Sequence, residues 1–150
     1  HLAAKGRVDT AILAKLLSHD FFDQTPPKSL DRNAFDTSLL EKLSLEDAAA
    51  TLVAFTTAAI ARSATYFPEQ VNQWLVTGGG RHNPTIMKDL SERLGTVVQP
   101  VESVGWNGDA IEAQAFAFMA VRSLLKLPLS FPATTGVSEP ITGGILHHPK

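Results

Sequence analysis

The segment LVTGGGRHNP, Leu75 to Pro84, constrains the fold most, because it sets a short apolar run, three glycines and a helix start in direct succession. Gln73 to Val76 reads as a buried strand ending at the glycines. Asn83 and Pro84 suit the N-cap and first position of a helix whose inner face is Ile86, Met87, Leu90 and Leu94, with Gly95 as its stop. Glycines let a backbone approach an anion or nucleobase closely, and the following helix presents unpaired N–H groups and the positive end of its dipole. Thr77 adds a hydroxyl at the strand's end. A tight strand-to-helix turn with no ligand accounts equally well for three glycines in isolation; the flanking strand and cap favour a site. The pattern is neither a Walker loop, since no Gly-Lys-Ser/Thr follows, nor G-x-G-x-x-G.

Around this unit the order of elements is legible. Asp9 is placed to cap a short amphipathic helix reaching about His19, on Ile12, Leu13, Leu16 and Leu17. Pro26 and Pro27 predict an ordered extended loop between Phe21 and Arg32. Ser44 with Asp47 resembles a capping box with Asp in place of Glu, opening a long alanine-rich helix from Leu45 to Tyr66 that Pro68 ends. Thr96 to Val101 predicts a second strand, and Gly105 to Gly108 a turn. Asp109 is placed to cap a helix from Ala110 to about Leu127, apolar around nearly its whole circumference and therefore expected inside the molecule. The tail from Pro128 carries four prolines and three glycines, which predicts irregular structure with one or two short strands. The order is α/β, and two strands are too few for a stable sheet, so the tail or a further lobe is expected to add more.

The second constellation is GWNGDAIEA, Gly105 to Ala113. Asp109 and Glu112 are three apart and would share one face of a first helical turn, where the dipole favours negative charge. Capping alone explains Asp109. Glu112 on an otherwise apolar helix needs a partner when buried, which an arginine or an array of sugar hydroxyls would supply. His147 and His148 read as surface histidines, Lys28 and Arg32 as exposed loop cations, and Trp106 as a packing residue.

Composition excludes other classes. At 150 residues the chain suffices for one domain and is short for a two-lobed enzyme closing over two ligands. A net charge of −2 without a Lys/Arg run argues against nucleic acid. Cysteine is absent, which removes disulfides and thiolate chemistry and fits the cytoplasm. The apolar stretch Ala110 to Leu127 is broken by polar residues and is poorly suited to a membrane. The chain opens on His1, without an initiator methionine or a signal-peptide pattern, as expected of a fragment or of a tag remnant.

Five segments in this order resemble the anhydro-N-acetylmuramic acid kinase family of the sugar kinase, actin and chaperone ATPase group: LAAKGRVD, PPKS, VTGGGRHNPTIM, GWNGDAIEAQAFAFMAVR and LPLSFPATTGV. After Lys28 and Ser29 the family reads Thr-Gly-Arg-Glu where this chain has Leu30, Asp31, Arg32 and Asn33. The resemblance implies that residues 1–150 form the C-terminal nucleotide-binding lobe of an actin-like, ribonuclease-H-like fold, a mixed sheet flanked by helices with its N-terminal lobe absent. It implies ATP and Mg²⁺, ring opening and 6-phosphorylation of 1,6-anhydro-N-acetylmuramic acid in cell-wall recycling, and a homodimer. Thr77, Gly78, Gly79, Gly80 and Asn83 would line the nucleotide, and Glu112 with Asp109 would face the sugar. The catalytic aspartate of the family lies upstream of Leu2, so the lobe alone is expected to be inactive. Two further readings are a noncatalytic module of the same fold, motivated by Leu30 to Asn33, and a superfamily kinase acting on another small molecule.

Overall fold

Asp9 opens the first helix by accepting hydrogen bonds from the Ala11 and Ile12 amides at 3.0 and 2.9 Å. Helix α1 then runs Thr10–Leu17 in a computed structural model that describes residues 2–148, so His1 lies outside the described residues. Ser44 begins α2, Leu45–Arg62, by accepting from the Asp47 amide at 3.1 Å. The reciprocal half of the expected capping box does not form, because the Asp47 carboxylate instead takes the Arg7 amide at 2.7 Å. One 3₁₀ turn, Ser63–Tyr66, carries the helix to the limit set by Pro68.

Small residues let α2 pack closely. Ala50, Thr51, Ala54, Thr57 and Ala58 form its buried stripe, and α1 and α3, Pro84–Leu94, lie against it. Thr57 is fully buried; its hydroxyl is bonded to the Asp89 carboxylate of α3 and accepts from Arg93 Nε at 3.1 Å. By length and composition Leu45–Tyr66 is long and apolar enough to cross a membrane. In the fold it packs against α1 and α3.

β1, Gln73–Val76, pairs in parallel with β2, Val97–Pro100, in the register Gln73 to Val97 and Val76 to Pro100, with α3 as the crossover. The architecture is thus α/β with a small parallel sheet. The mixed sheet expected is a parallel pair among the described residues, and the tail adds only an antiparallel bridge, Ser130 to Ile141. Nor is β1 buried, since Gln73 and Leu75 on one of its faces are exposed, Leu75 to 36%. The Asn83 cap holds, accepting from Thr85 and Ile86 at 3.0 and 3.4 Å, and Gly95 ends α3 in the left-handed region at φ 61°. Asn83→Ala is expected to cost about 1 kcal/mol, read as a lower urea midpoint, while Asn83→Asp keeps most of it.

Helix α4, Ile111–Leu124, departs most from expectation. None of its residues is buried, and Phe116 and Phe118 remain more than 60% exposed on opposite sides. The tail lies along one side of it, through Arg122 Nε to the Pro128 carbonyl and Ser123 Oγ to the Gly143 carbonyl. A helix apolar on all sides needs cover on all sides. The tail also carries a short helix, α5, Pro132–Thr135.

Candidate functional site

The carboxyl ends of parallel strands are where open α/β sheets bind ligands. Here β1 runs into the Gly78–Gly80 turn, and β2 into a 3₁₀ turn, Val101–Val104, and then Gly108. The two loops are stitched together by Arg81, whose side chain is 2% accessible. Arg81 Nε donates to Glu102 Oε1 at 2.9 Å, Nη2 to Asp109 Oδ1 at 2.7 Å and Nη1 to the Gly78 carbonyl at 3.0 Å. Glu102 Oε1 also accepts the Gly108 amide at 3.2 Å, and Thr77 Oγ1 donates to the Gly108 carbonyl at 3.1 Å. One guanidinium thereby fixes the separation of the two loops.

Between them lies a cleft of about 510 Å³ lined by Thr77, Gly78, Gly79, Gly108, Asp109, Ile111 and Glu112. The glycine turn is open. Gly78 sits at φ 74°, where a side chain would be strained, and a Cβ added at Gly78 or Gly79 meets no atom within 4 Å. No acceptor among the described residues takes the Gly78, Gly79 or Gly80 amide, so adjacent donors remain for a ligand.

Of the residues predicted to line a nucleotide, Thr77, Gly78 and Gly79 are on the cleft wall, whereas Gly80 and Asn83 are not. Asn83 is turned the other way by its capping role. Its carboxamide takes the Thr85 and Ile86 amides, its carbonyl takes Met87, and Pro84 has none to give. The α3 terminus therefore offers no free donors, contrary to expectation, and the cradle consists of the turn amides alone. Asp109 and Glu112 do share the cleft wall. Asp109 does not cap α4, however: Ala110 holds that position without a side-chain bond, because the Asp109 carboxylate is drawn to Arg81. Glu112 is exposed at the first turn of α4 and has no ion-pair partner among the described residues.

Sequence reasoning missed Arg81, Glu102 and Gly108. Arg81, lodged between the glycines and the helix cap, was the available signal, since a cation there has no reason to be solvated. Trp106 is 58% exposed rather than packed, and Lys28 is half-buried rather than an exposed loop cation, meeting carbonyls and aromatic rings. No cluster of three or more His, Asp or Glu side chains able to hold a metal occurs among the described residues. A magnesium ion carried by phosphates needs only one or two carboxylates, and Glu112, on the cleft wall, is the side chain that would supply one.

The Arg81 hydrogen bond, then its charge, pulls the Asp109 carboxyl below its ordinary value. The Glu102 carboxyl is lowered by its own backbone N–H and then by Arg81, and that of Asp47 by the Arg7 amide. Groups with depressed folded values stabilise fully above their unfolded values, near 4, and lose that contribution as pH falls through the lower folded ones. Stability is expected to decline from about pH 4 downward. In Arg81→Met the decline should shrink, as read by urea midpoints across pH.

A family model described as Anhydro-N-acetylmuramic acid kinase matches residues 1–149. The chain is 55% identical over 143 residues to the anhydro-N-acetylmuramic acid kinase of Rhodospirillum rubrum, covering 95% of this chain and 38% of that protein. It is 54% identical over 151 residues to that of Paramagnetospirillum magneticum, covering 99% and 42%, and 50% over 147 residues to that of Zymomonas mobilis, covering 98% and 40%. The chain thus spans about two fifths of the length of the curated relatives it matches. With a family model matched over residues 1–149 and relatives 50–55% identical over nearly all of its length, the chain belongs to the anhydro-N-acetylmuramic acid kinase family.

Proposed function

We propose that this chain is the nucleotide-binding, C-terminal lobe of an actin-like carbohydrate kinase of the cytoplasm. As a whole, that kinase uses ATP and Mg²⁺ to open 1,6-anhydro-N-acetylmuramic acid and phosphorylate its 6-oxygen in peptidoglycan recycling. The observation that carries the reading is the glycine turn at the carboxyl edge of two parallel strands, with free adjacent amides facing an open cleft. Amide donors suit phosphate oxygens or a nucleobase edge, and the left-handed Gly78 lets the backbone come close. Glu112 accepts hydrogen bonds from a sugar hydroxyl or from water on the metal; Asp109 holds Arg81 and contributes to the site through it. Mg²⁺, when bound, neutralises charge developing on the phosphates.

Phosphoryl transfer depends on positioning across both lobes, and this chain's share is to hold the nucleotide while the base comes from elsewhere. The bare faces of α4 and β1 fit a lobe that packs against more polypeptide, and the same whole protein would form the homodimer. Leu30 to Asn33 leave the cleft untouched: Asp31 accepts the Asn33 amide at 2.8 Å to cap a 3₁₀ turn, and none of the four lines the cleft. That favours a kinase over a noncatalytic module. Joining this chain to the upstream half from its own gene is expected to yield ATP-dependent phosphorylation of the anhydro sugar, while the isolated chain yields none. A joined protein that binds both ligands and never turns over would overturn the proposal.

A further inference from the structure

A large apolar-walled hollow lies away from the glycine turn. Formed by the Phe21–Lys28 loop, the end of α2 and α5, it measures about 610 Å³ and shares no lining residue with the nucleotide cleft. Its size is that of a small-molecule pocket. Phe21, Phe22, Pro26, Ile60 and Phe67 are among the apolar residues of its wall. Two cations, Lys28 and Arg62, also line it, and no Asp or Glu does. The nucleotide cleft has the opposite character, with Asp109 and Glu112 on its wall.

Both cations are held in place without being neutralised. Lys28 Nζ donates to the Phe21 carbonyl at 2.8 Å and the Tyr66 hydroxyl at 3.3 Å, and lies 4.7 and 4.8 Å from the centres of the Phe21 and Tyr66 rings. The Arg62 guanidinium sits 5.0 Å over Phe22, and Nη1 donates to the Leu17 carbonyl at 2.9 Å. Among the described residues neither cation is within ion-pair distance of a carboxylate. Arg62 therefore keeps most of its five donors for a guest. An inorganic anion would leave the aromatic wall wet, and a neutral apolar guest would leave the charges uncompensated. The complement is an anion with an apolar body.

We propose that this cavity binds an organic monocarboxylate with a compact ring, Arg62 taking the carboxylate, Lys28 supplying further positive field, and the aromatic wall taking the ring. It is a second small-molecule site that needs neither nucleotide nor kinase activity. The test is a titration of the 150-residue chain with benzoate, followed by amide shifts, beside benzyl alcohol and inorganic phosphate. Benzoate is expected to give saturable shifts at Phe22, Lys28 and Tyr66 with Kd about 1 mM, well inside what its few heavy atoms allow. Benzyl alcohol and phosphate should each bind about tenfold more weakly, one lacking the charge and the other the apolar body. Arg62→Met should weaken benzoate about tenfold, and Ala59→Leu, which fills the cavity from α2 while keeping both cations, should abolish binding; Gly79→Val should leave it unchanged. No saturable shift, equal binding of phosphate or benzyl alcohol, or indifference to both Arg62→Met and Ala59→Leu would overturn the assignment.

Discussion

Gly6→Ala is expected to lower stability by about 3 kcal/mol or more, or to leave the chain unfolded. A Cβ at Gly6 would be driven into the Glu46 carbonyl and come within 2.7 Å of the Asp47 amide nitrogen. Those atoms are backbone in the first turn of α2 and cannot swing aside. The segment around Gly6 is laced to that turn: the Arg7 amide donates to Asp47 at 2.7 Å, and the Asp9 amide to Thr51 Oγ1 at 3.0 Å. Asp9 in turn caps α1, so displacing Gly6 loosens the contact between α1 and α2 that forms part of the core. A urea midpoint within experimental error of the parent would contradict this packing.

Gly108→Ala is expected to damage the site more than any single change on the cleft wall. The added Cβ would collide with Arg81 Nε and lie 2.7 Å from its Cζ and 2.8 Å from Glu102 Oε1. The guanidinium is enclosed and cannot retreat without surrendering Glu102, Asp109 or the Gly78 carbonyl. Leaving a buried charge without its partners is strongly destabilising. Because Arg81 sets the spacing of both loops, the joined kinase should lose about a hundredfold in kcat/KM, the scale of a misplacement near 1 Å. Arg81→Lys should fail similarly, since an ammonium cannot span three acceptors as the planar fork does. Gly79→Ala is the control: its Cβ enters open space, so the thermal midpoint should hold. Equal stability and turnover in Gly108→Ala and the parent would refute the role given to Arg81.

These glycines show where the sequence stops being informative. Gly6, Gly79 and Gly108 are the same residue on the page, yet one abuts backbone, one faces open space and one abuts a buried guanidinium. What is local was legible. Asp9, Ser44 and Asn83 cap their helices, and Gly95 stops α3, because each bond closes within a few residues. The β1–turn–α3–β2 unit followed from the same local signals. What depends on distant residues was not legible. Asp109 was a good cap until Arg81, 28 residues earlier, claimed its carboxylate. Asp47 would have completed a capping box had Arg7 not offered its amide. The apolar circumference of α4 predicted burial correctly as a requirement and wrongly as an outcome, because this chain does not bring enough surface to cover it.

Everything proposed for nucleotide rests on the three glycine amides being available to a ligand. Titrating the isolated chain with ATP and Mg²⁺ while following the amide resonances tests this directly. Saturable shifts are expected to concentrate at Gly78, Gly79 and Gly80, with much smaller ones at Asn83, whose carboxamide is committed to α3, and all of them should be lost in Gly79→Val at an unchanged thermal midpoint. Shifts absent from the glycines, or undiminished in Gly79→Val, would contradict it.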